Sequence, residues 1–323
     1  MITSITIDGL RGIRHGEVAG LGGLSILVGP NGCGKSTVLD ALLIGAAPEP
    51  AEAVCRVIRR RAELLSGERP ILKPQWLLYG GLKRGAFSIN VGGLAKTNVL
   101  SEPPYLFVRP VGGEGGESRI SASQERCQII DAGRRRSWPD VALIDPLEDA
   151  VVPLHLAYSD AARVGRVAFA NEVLRTLIPR FERLEILTEG ANPVLYMHLG
   201  DAPIPVALAG DGVLALVRTV LELAACAEGG LALLEEPEVH QHPKSLRLMA
   251  QGICAAVKRG VRVVLTTHSL ELVESLLHFA SEAALLDQTS VQLVRLRDGE
   301  LTSTCVEGEV ARFQIQDIGE DLR

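Results

Sequence analysis

Apolar and polar positions along the first half of the chain predict a few strands and helices. Residues 24–28 (LSILV) form an apolar run typical of a buried strand, and a helix face follows at Val38, Leu39, Leu42 and Leu43. The pattern predicts another helix over 51–66 and a strand over 86–92. Residues 95–150 are rich in glycine, proline and charge and hold no steady period, so we predict loops and a mobile insertion there.

The second half of the chain alternates between segments with the hydrophobic period of a helix and segments with that of a strand. We predict helices over 163–178, 212–228, 243–258 and 269–279, and strands over 184–187, 194–198, 231–234, 261–266 and 283–286. The runs 291–296 and 300–305 flank Asp298-Gly299, a dipeptide typical of a hairpin turn. Alternating strands and helices predict a mainly parallel sheet that is covered by helices.

Composition narrows the function classes. The 323 residues are 47% hydrophobic, which suits one domain with subdomains or two domains, and the formal charge of −6 argues against a uniformly basic nucleic-acid binder. A local basic patch that binds nucleic acid is still possible, because arginines cluster at 59–61 and 134–136, although such runs are commonly solvated.

Trp76 is expected in the core. Neither a secretion signal nor a membrane-spanning stretch is apparent, and six cysteines without a CxxC pair suggest reduced thiols in the cytoplasm.

A glycine-rich loop carries the sharpest chemical signal. The segment GPNGCGKS at 29–36 fits GxxxxGK[ST] in full and lies between a predicted strand and a predicted helix. Such a loop turns backbone N–H groups towards a phosphate, its lysine reaches the β/γ phosphates, and its hydroxyl binds Mg²⁺. The predicted nucleotide-binding residues are Gly29, Asn31, Gly32, Gly34, Lys35, Ser36 and Thr37.

An apolar strand that ends in carboxylates is the second signal. In LALLEEPE at 231–238 we assign Glu235 to the metal and Glu236 to the attacking water, because phosphoryl transfer needs both functions opposite the loop. A solvated strand end is the alternative. Aspartate commonly occupies the first of these positions, so the ligand geometry at Glu235 stays open.

Two further segments could face the same nucleotide chemistry. His268 follows the strand predicted at 261–266 and can hydrogen-bond a γ-phosphate, although strand-end histidines are often structural. Gly210, Asp211 and Gly212 begin a helix and could expose N–H groups to an anion, or simply form a helix-initiating turn.

The order of these motifs resembles the ABC ATPases, and in particular their RecF/OLD-like branch. The matching segments are ITIDGLRGI at 5–13, GPNGCGKST at 29–37, PVALAGDG at 205–212, LLEEPEVHQHP at 233–243 and LTTHSLELVES at 265–275. The resemblance implies an α/β P-loop NTPase fold with a mixed sheet, an antiparallel β subdomain and a helical lid insertion. It also implies one ATPase domain over 1–323, with a P-loop lobe at 1–95, a lid at 96–180 and a signature and switch-histidine lobe at 181–323.

The resemblance further implies a homodimer that sandwiches Mg-ATP. Each nucleotide would lie between the P-loop of one subunit and Gly210, Asp211 and Gly212 of the other, with Glu236 and His268 catalytic. His242 would lie at the subunit junction. Arg11 would pack on the adenine, unless it is an ordinary surface arginine. The Mg²⁺-sensing glutamine stays open among Gln75, Gln124 and Gln128.

Three roles follow from this resemblance. The first is an ATP-driven switch for a separately encoded nuclease or toxin in antiviral defence or DNA repair. The second is a DNA-binding repair clamp that ATP gates. The third, a transporter motor, is disfavoured because the LSGGQ signature is missing. Heptad arms are also missing, and the 55 residues after His268 are too few for an appended Toprim nuclease.

Overall fold

Thirteen strands of the described residues form one sheet. The computed structural model describes residues 2–60, 72–94, 96–111, 116–123, 126–133, 135–136, 140–145, 153–200 and 202–319. The strands of the large sheet are β1 Ser4–Leu10, β2 Ile13–Ala19, β3 Leu24–Val28, β4 Gly85–Val91, β5 Lys96–Glu102, β6 Tyr105–Val111, β7 Ser118–Ala122, β8 Cys127–Asp131, β9 Val141–Ile144, β13 Leu231–Glu235, β14 Arg262–Thr266, β15 Thr289–Arg297 and β16 Glu300–Glu307. A separate three-stranded sheet contains β10 Phe181–Glu189, β11 Asn192–Leu199 and β12 Ala202–Pro205.

Eight α-helices occur in the described part of the chain. They are α1 Lys35–Ala46, α2 Pro50–Arg60, α3 Leu154–Arg163, α4 Val167–Leu177, α5 Asp211–Ala225, α6 Pro243–Lys258, α7 Leu270–Glu282 and α8 Gly308–Phe313. Short 3-10 turns lie at Pro74–Leu77, Tyr79–Gly81, Val206–Leu208 and Leu286–Gln288, and a π-helical segment at Gln314–Ile318.

The large sheet is half parallel and half antiparallel. Its order is β8-β7-β6-β5-β4-β1-β2-β16-β15-β3-β14-β13-β9. The strands β9, β13, β14, β3 and β15 run parallel, as expected from strands that alternate with helices. The strands β4 to β8 form an antiparallel meander. These features, with helices on the sheet faces, confirm the predicted α/β fold with a mixed sheet.

The parallel strands are buried on both faces, and alternate side chains therefore belong to two different cores. Leu231 and Leu233 pack with α1, α2 and the meander, whereas Ala232 and Leu234 pack with α5, α6 and α7. Strands buried on both faces read as continuous apolar runs, which explains why LSILV and LALL were recognisable in the sequence. The first core supports the loop that follows β3, and the second supports α5.

The prediction for residues 95–150 was wrong. The described residues of this segment include β5 to β9, of which β5 to β8 continue the antiparallel meander and β9 closes the parallel end of the sheet. The helical lid insertion predicted for 96–180 is likewise wrong for the described residues up to Ile144, which form strands. The helices of that segment, α3 and α4, follow from Leu154 onwards. Ala157, Ala161 and Leu174 bury the inner faces of these two helices in the core shared with α5.

Two smaller predictions also need correction. The helix predicted over 163–178 corresponds to α4 but begins later, at Val167, because Gly165, with a φ of 70°, separates it from α3, which ends at Arg163. The strand predicted over 283–286 is a turn followed by a 3-10 turn, because Ala284 takes a φ of 57°. Within the described residues, none of the helices is long and apolar enough to cross a membrane.

Candidate functional site

The segments predicted to carry chemistry meet at the carboxyl edge of three neighbouring parallel strands. The register pairs Glu235 of β13 with Thr266 of β14, and Thr266 with Leu27 of β3. The three strands therefore end side by side, and the glycine-rich loop, the acidic segment and the histidine segment begin at the same edge of the sheet. Ligands of open α/β sheets bind at this edge.

The loop after β3 has the backbone that its glycines allow. Gly29 has a φ of 147°, and a Cβ there would lie 2.4 Å from the carbonyl oxygen of Val294. Gly34 has a φ of 94° and immediately precedes α1, with no side-chain cap. The first N–H groups of α1 are thus uncapped by a side chain, next to the loop. Such a helix start is suited to a phosphate.

Lys35 is folded back onto its own loop. Its ammonium donates to the carbonyl oxygens of Gly29 at 2.8 Å and Pro30 at 3.2 Å, and only 4% of the residue is exposed. These contacts keep a buried charge hydrogen-bonded. Ser36 and Thr37 lie half-buried in the first turn of α1, whereas Asn31 and Gly32 are exposed at the tip of the loop.

Glu236 has a strained backbone and pairs with His268. Its φ of 42° is in the left-handed region, which costs a non-glycine residue about 1–2 kcal/mol. The N–H of Glu236 donates to the carbonyl and hydroxyl oxygens of Thr266 and fixes this conformation. The Oε1 of Glu236 lies 3.0 Å from the Nε2 of His268, and both side chains are about a third exposed. Strain of this kind is often retained at functional sites.

Glu238 was not singled out in the sequence, and it fixes the histidine segment. Its Oε1 accepts hydrogen bonds from the Thr267 hydroxyl and the backbone N–H of His268, each at 2.7 Å. Glu238 thereby joins the acidic segment to the end of β14. The spacing of the two glutamates in Glu236-Pro237-Glu238 is the signal that could have suggested it.

Glu235 is engaged by an arginine that the motif analysis did not assign to this site. The guanidinium of Arg60, at the end of α2, contacts Glu235, Asp145 at 2.7 Å and Asp40 at 2.8 Å. Only 1% of the Arg60 side chain is exposed, and the three carboxylates raise its pKa against the opposing effect of burial. Asp40 also pairs with Arg11. A buried charge network therefore lies beside the predicted metal ligand.

Asp145 belongs to the same edge of the sheet. Leu234 pairs with Ile144, so Glu235 and Asp145 leave the parallel strands β13 and β9 at the same level. An apolar strand that ends in a carboxylate was visible in the sequence at 141–145. It was missed because the surrounding segment was interpreted as loop.

Arg11 lines a cavity of about 670 Å³ together with Gly12, Trp76 and Tyr79. Ile13, which follows Gly12 in the chain, lies 3.5 Å from the position that a Cβ on Gly34 would take. The expectation that Trp76 is in the core was wrong, because 57% of it is exposed. Its ring borders the cavity and would collide with a Cβ on Gly81 at 2.8 Å.

Gly210, Asp211 and Gly212 form the exposed start of α5. Gly210 has a φ of 90° with open space where a Cβ would be, whereas a Cβ on Gly212 would lie 2.7 Å from the carbonyl oxygen of His240. Gln241 donates to the carbonyl oxygen of Gly212 at 2.9 Å. His242 is exposed and caps α6, its Nδ1 accepting from the N–H of Lys244 at 3.3 Å.

Among the described residues, each of the two arginine clusters has one exposed and one buried side chain. Arg60 and Arg136 are buried, and Arg136 donates to the Thr97 hydroxyl at 3.0 Å and to the carbonyl oxygen of Gly45. Arg135 is exposed and pairs with Asp140 at 2.9 Å. Arg61, Arg134 and Gln124 lie outside the described residues. Gln75 borders a different cavity, and Gln128 is exposed on β8, one of the two edge strands of the large sheet.

The oxygen donors at this edge fit Mg²⁺ in part. Bound Mg²⁺ keeps several waters and takes its other ligands from substrate phosphates and one or two protein oxygens. Ser36 and Glu235 can supply those protein oxygens. In the described residues no cluster of three or more acidic, histidine or cysteine side chains forms a metal cage, and this mode of binding requires none. The contact with Arg60 means that Glu235 has a competing cation.

Parts of the chain match known families and a known protein in sequence. Residues 117–274 match a family model described as "AAA domain, putative AbiEii toxin, Type IV TA system", and residues 4–50 match a model described as "AAA domain". An uncharacterized protein of Methanocaldococcus jannaschii is 34% identical over 113 residues, which make up 34% of this chain and 91% of that protein.

Solved structures show a related fold over nearly the whole chain. A SmcHead bound to the C-winged helix domain of ScpA has a TM-score of 0.54 at 15% identity, covering 95% of this chain and 98% of that one. An Smc head domain with an extended coiled coil, bound to the C-terminal domain of ScpA derived from Pyrococcus furiosus, has a TM-score of 0.53 at 12% identity. That match covers 99% of this chain and all of the other.

Proposed function

We propose that the chain is an ABC-like P-loop ATPase that hydrolyses Mg-ATP between two copies of itself, which the two matching AAA-domain models support. One observation carries the proposal. The lysine of a phosphate-binding loop, a glutamate in a strained conformation and its histidine partner stand at the ends of three neighbouring parallel strands. Phosphoryl transfer requires this combination of a phosphate clamp and a group that orients water.

The residues have separable roles in this reaction. Lys35 exchanges its loop carbonyls for β/γ-phosphate oxygens, which offer a stronger, charged partner. Glu236 orients the attacking water and accepts its proton, and His268 holds the Glu236 carboxylate and senses the γ-phosphate. When bound through Ser36 and Glu235, Mg²⁺ would supply charge stabilisation of the phosphates. The adenine would enter the cavity beside Arg11 and Trp76.

The second copy supplies the remaining anion-binding group. The start of α5 is exposed, and the carbonyl oxygen of Gly212 is bound by Gln241 of the same chain. Gly210 has no neighbour within 4 Å of a would-be Cβ, so another surface can approach closely there. This openness supports a role for Gly210, Asp211 and Gly212 on the nucleotide of the partner, and for His242 at the junction.

We assign the ATP cycle a switching role on a separately encoded effector, a nuclease or toxin of genome defence. The matched family description names a putative toxin and a Type IV TA system, and the similar Smc heads were solved with ScpA domains bound. Both observations favour an ATPase that works with a protein partner. The burial of Arg60 and Arg136 weighs against direct DNA contact through those residues.

The test is Glu236→Gln, with Glu274→Gln on the exposed face of α7 as the matched control. The amide keeps the shape of the side chain but cannot accept the proton, so turnover should fall about 10²–10⁴-fold. ATP affinity should persist, and the ATP-bound protein should accumulate as a dimer in light scattering. Normal turnover in Glu236→Gln, or an equal loss in Glu274→Gln, would contradict the proposed role.

A further inference from the structure

Two cysteines outside the nucleotide site lie in direct contact. Cys55 of α2 and Cys127 at the start of β8 are buried, and their sulfur atoms are 2.8 Å apart. This separation is close for two non-bonded sulfur atoms and above the 2.05 Å or so of a disulfide bond. The two thiols come from positions 72 residues apart in the chain, so packing of α2 on the sheet has brought them together.

The surroundings make the pair chemically unequal. Arg59 donates to the carbonyl oxygen of Cys127 at 2.7 Å and so holds α2 against the end of β8. The hydrogen bond with Cys55 lowers the pKa of Cys127 against the opposing effect of burial, and the positive charge of Arg59 contributes to the lowering. The same contact raises the pKa of Cys55. The guanidinium of Arg59, which is held at the Cys127 carbonyl, favours Cys127 as the sulfur that loses its proton.

Other cysteines provide a contrast. Burial raises the pKa of Cys226 and of Cys254 to about 12, and the described contacts pair neither of them with another sulfur. Cys305 is exposed. Access to Cys127 is favoured by its place on β8, one of the two edge strands of the large sheet, since edge elements open locally more readily than central ones.

We infer that Cys55 and Cys127 form a redox site, in which a peroxide converts the two thiols into a reversible disulfide between α2 and β8. The Cys127 thiolate attacks one peroxide oxygen, the O–O bond breaks, and the second oxygen leaves as water after taking a proton. The Cys55 sulfur then displaces hydroxide from the Cys127 sulfenic acid, and that hydroxide leaves as water with the Cys55 proton. The thiols lose two electrons, which reduce the peroxide to water.

The disulfide would fasten α2 to the antiparallel meander. It closes a segment of 72 residues that contains β4 to β7, and cross-links of that span restrict the unfolded chain strongly. Oxidation should accordingly raise the Tm by about 5–10 °C. The disulfide does not depend on the proposed ATPase function, and its test uses no nucleotide.

The test is peptide mapping of the folded protein after treatment with hydrogen peroxide. Trypsin places Cys55 in fragment 36–56 and Cys127 in fragment 127–134, each with no other cysteine. We expect a disulfide to join these two fragments while Cys226 and Cys254 are still free thiols. Reduction with dithiothreitol should separate the two fragments. Absence of the joined pair in a sample whose Cys305 is already oxidised would overturn the proposal. So would oxidation of all six thiols at one rate, which would indicate unfolding.

Variants give an independent measurement. Cys55→Ser and Cys127→Ser should each lose the peroxide-induced rise in Tm, whereas Cys254→Ser, which removes a buried but isolated thiol, should keep it. A full rise in Cys127→Ser would refute the pairing. Mapping of the wild-type protein requires none of these variants to fold well.

Discussion

Replacement of Arg60 by methionine is the most demanding test of the charge network. Methionine keeps much of the length of the side chain but removes the guanidinium that contacts Asp40, Asp145 and Glu235. Breaking a buried ion pair from one side costs about 3–5 kcal/mol, because charges are left without compensation. Asp40 is completely buried but retains Arg11, so the lower end of that range, about 3 kcal/mol, is expected.

Thermal unfolding at pH 7 measures this loss. At roughly 2 °C per kcal/mol for a chain of this size, Arg60→Met should lower the Tm by about 6 °C. Arg163→Met is the matched control, since it removes an exposed partner of Asp160, and it should cost less than about 1 kcal/mol. If the Tm of Arg60→Met lies within about 1 °C of that of Arg163→Met, the contacts of Arg60 with the three carboxylates do not stabilise the fold.

Three more results are expected. Lys35→Ala should lose ATP affinity by at least about 100-fold in equilibrium titration, because a charge-assisted clamp worth about 3 kcal/mol is removed, and near-normal affinity would contradict the P-loop assignment. Gly29→Ala should lower the Tm more than Gly32→Ala, since a Cβ at Gly29 collides with the Val294 carbonyl oxygen whereas Gly32 has open space, and equal Tm values would refute this. ATP hydrolysis per molecule should fall on dilution, and constant specific activity with a monomeric ATP-bound mass would refute a two-copy site.

The local structure around the candidate nucleotide site was predictable because its signals are local. Residues 29–36 combine a motif, a preceding apolar strand and a following helix within a short stretch, and the structure has all three. The helix predicted over 243–258 coincides with α6, where proline at the first turn and an apolar face agree. The hairpin at Asp298-Gly299 also formed as predicted. In each case, neighbours in sequence determine the conformation.

The antiparallel meander was not predictable in the same way. Its strands β5 to β8 carry glycine, proline and charge at their ends, and Pro103-Pro104 turns the chain between β5 and β6. One face of each strand is buried, but the runs are short, and loop residues between them mask the alternation. Pairing with β4 supplies the stabilisation that the individual segments lack.

Arg60 shows a third limit, because its environment is built from segments distant in sequence. Asp40, Asp145 and Glu235 lie 20, 85 and 175 residues away, and only packing of α2 on the sheet brings them to one guanidinium. From sequence, an arginine run reads as a solvated or phosphate-binding surface. The same run contains an exposed Arg59 and a buried Arg60, so the direction of each side chain from the helix, rather than its charge, decides its role.

The position of Arg60 has a consequence for the order of events at the site. If Glu235 is to serve Mg²⁺ directly, the guanidinium must withdraw or share the carboxylate, and α2, which ends at Arg60, must adjust with it. Binding of Mg-ATP would then displace α2 and, through the contact of Arg59 with the Cys127 carbonyl oxygen, β8. If water bridges Glu235 to the metal instead, Arg60 stays and the meander does not respond. Comparing hydrogen exchange of β8 with and without Mg-ATP separates these two arrangements, because only a displacement of Arg60 would move α2 and its Arg59 contact with β8.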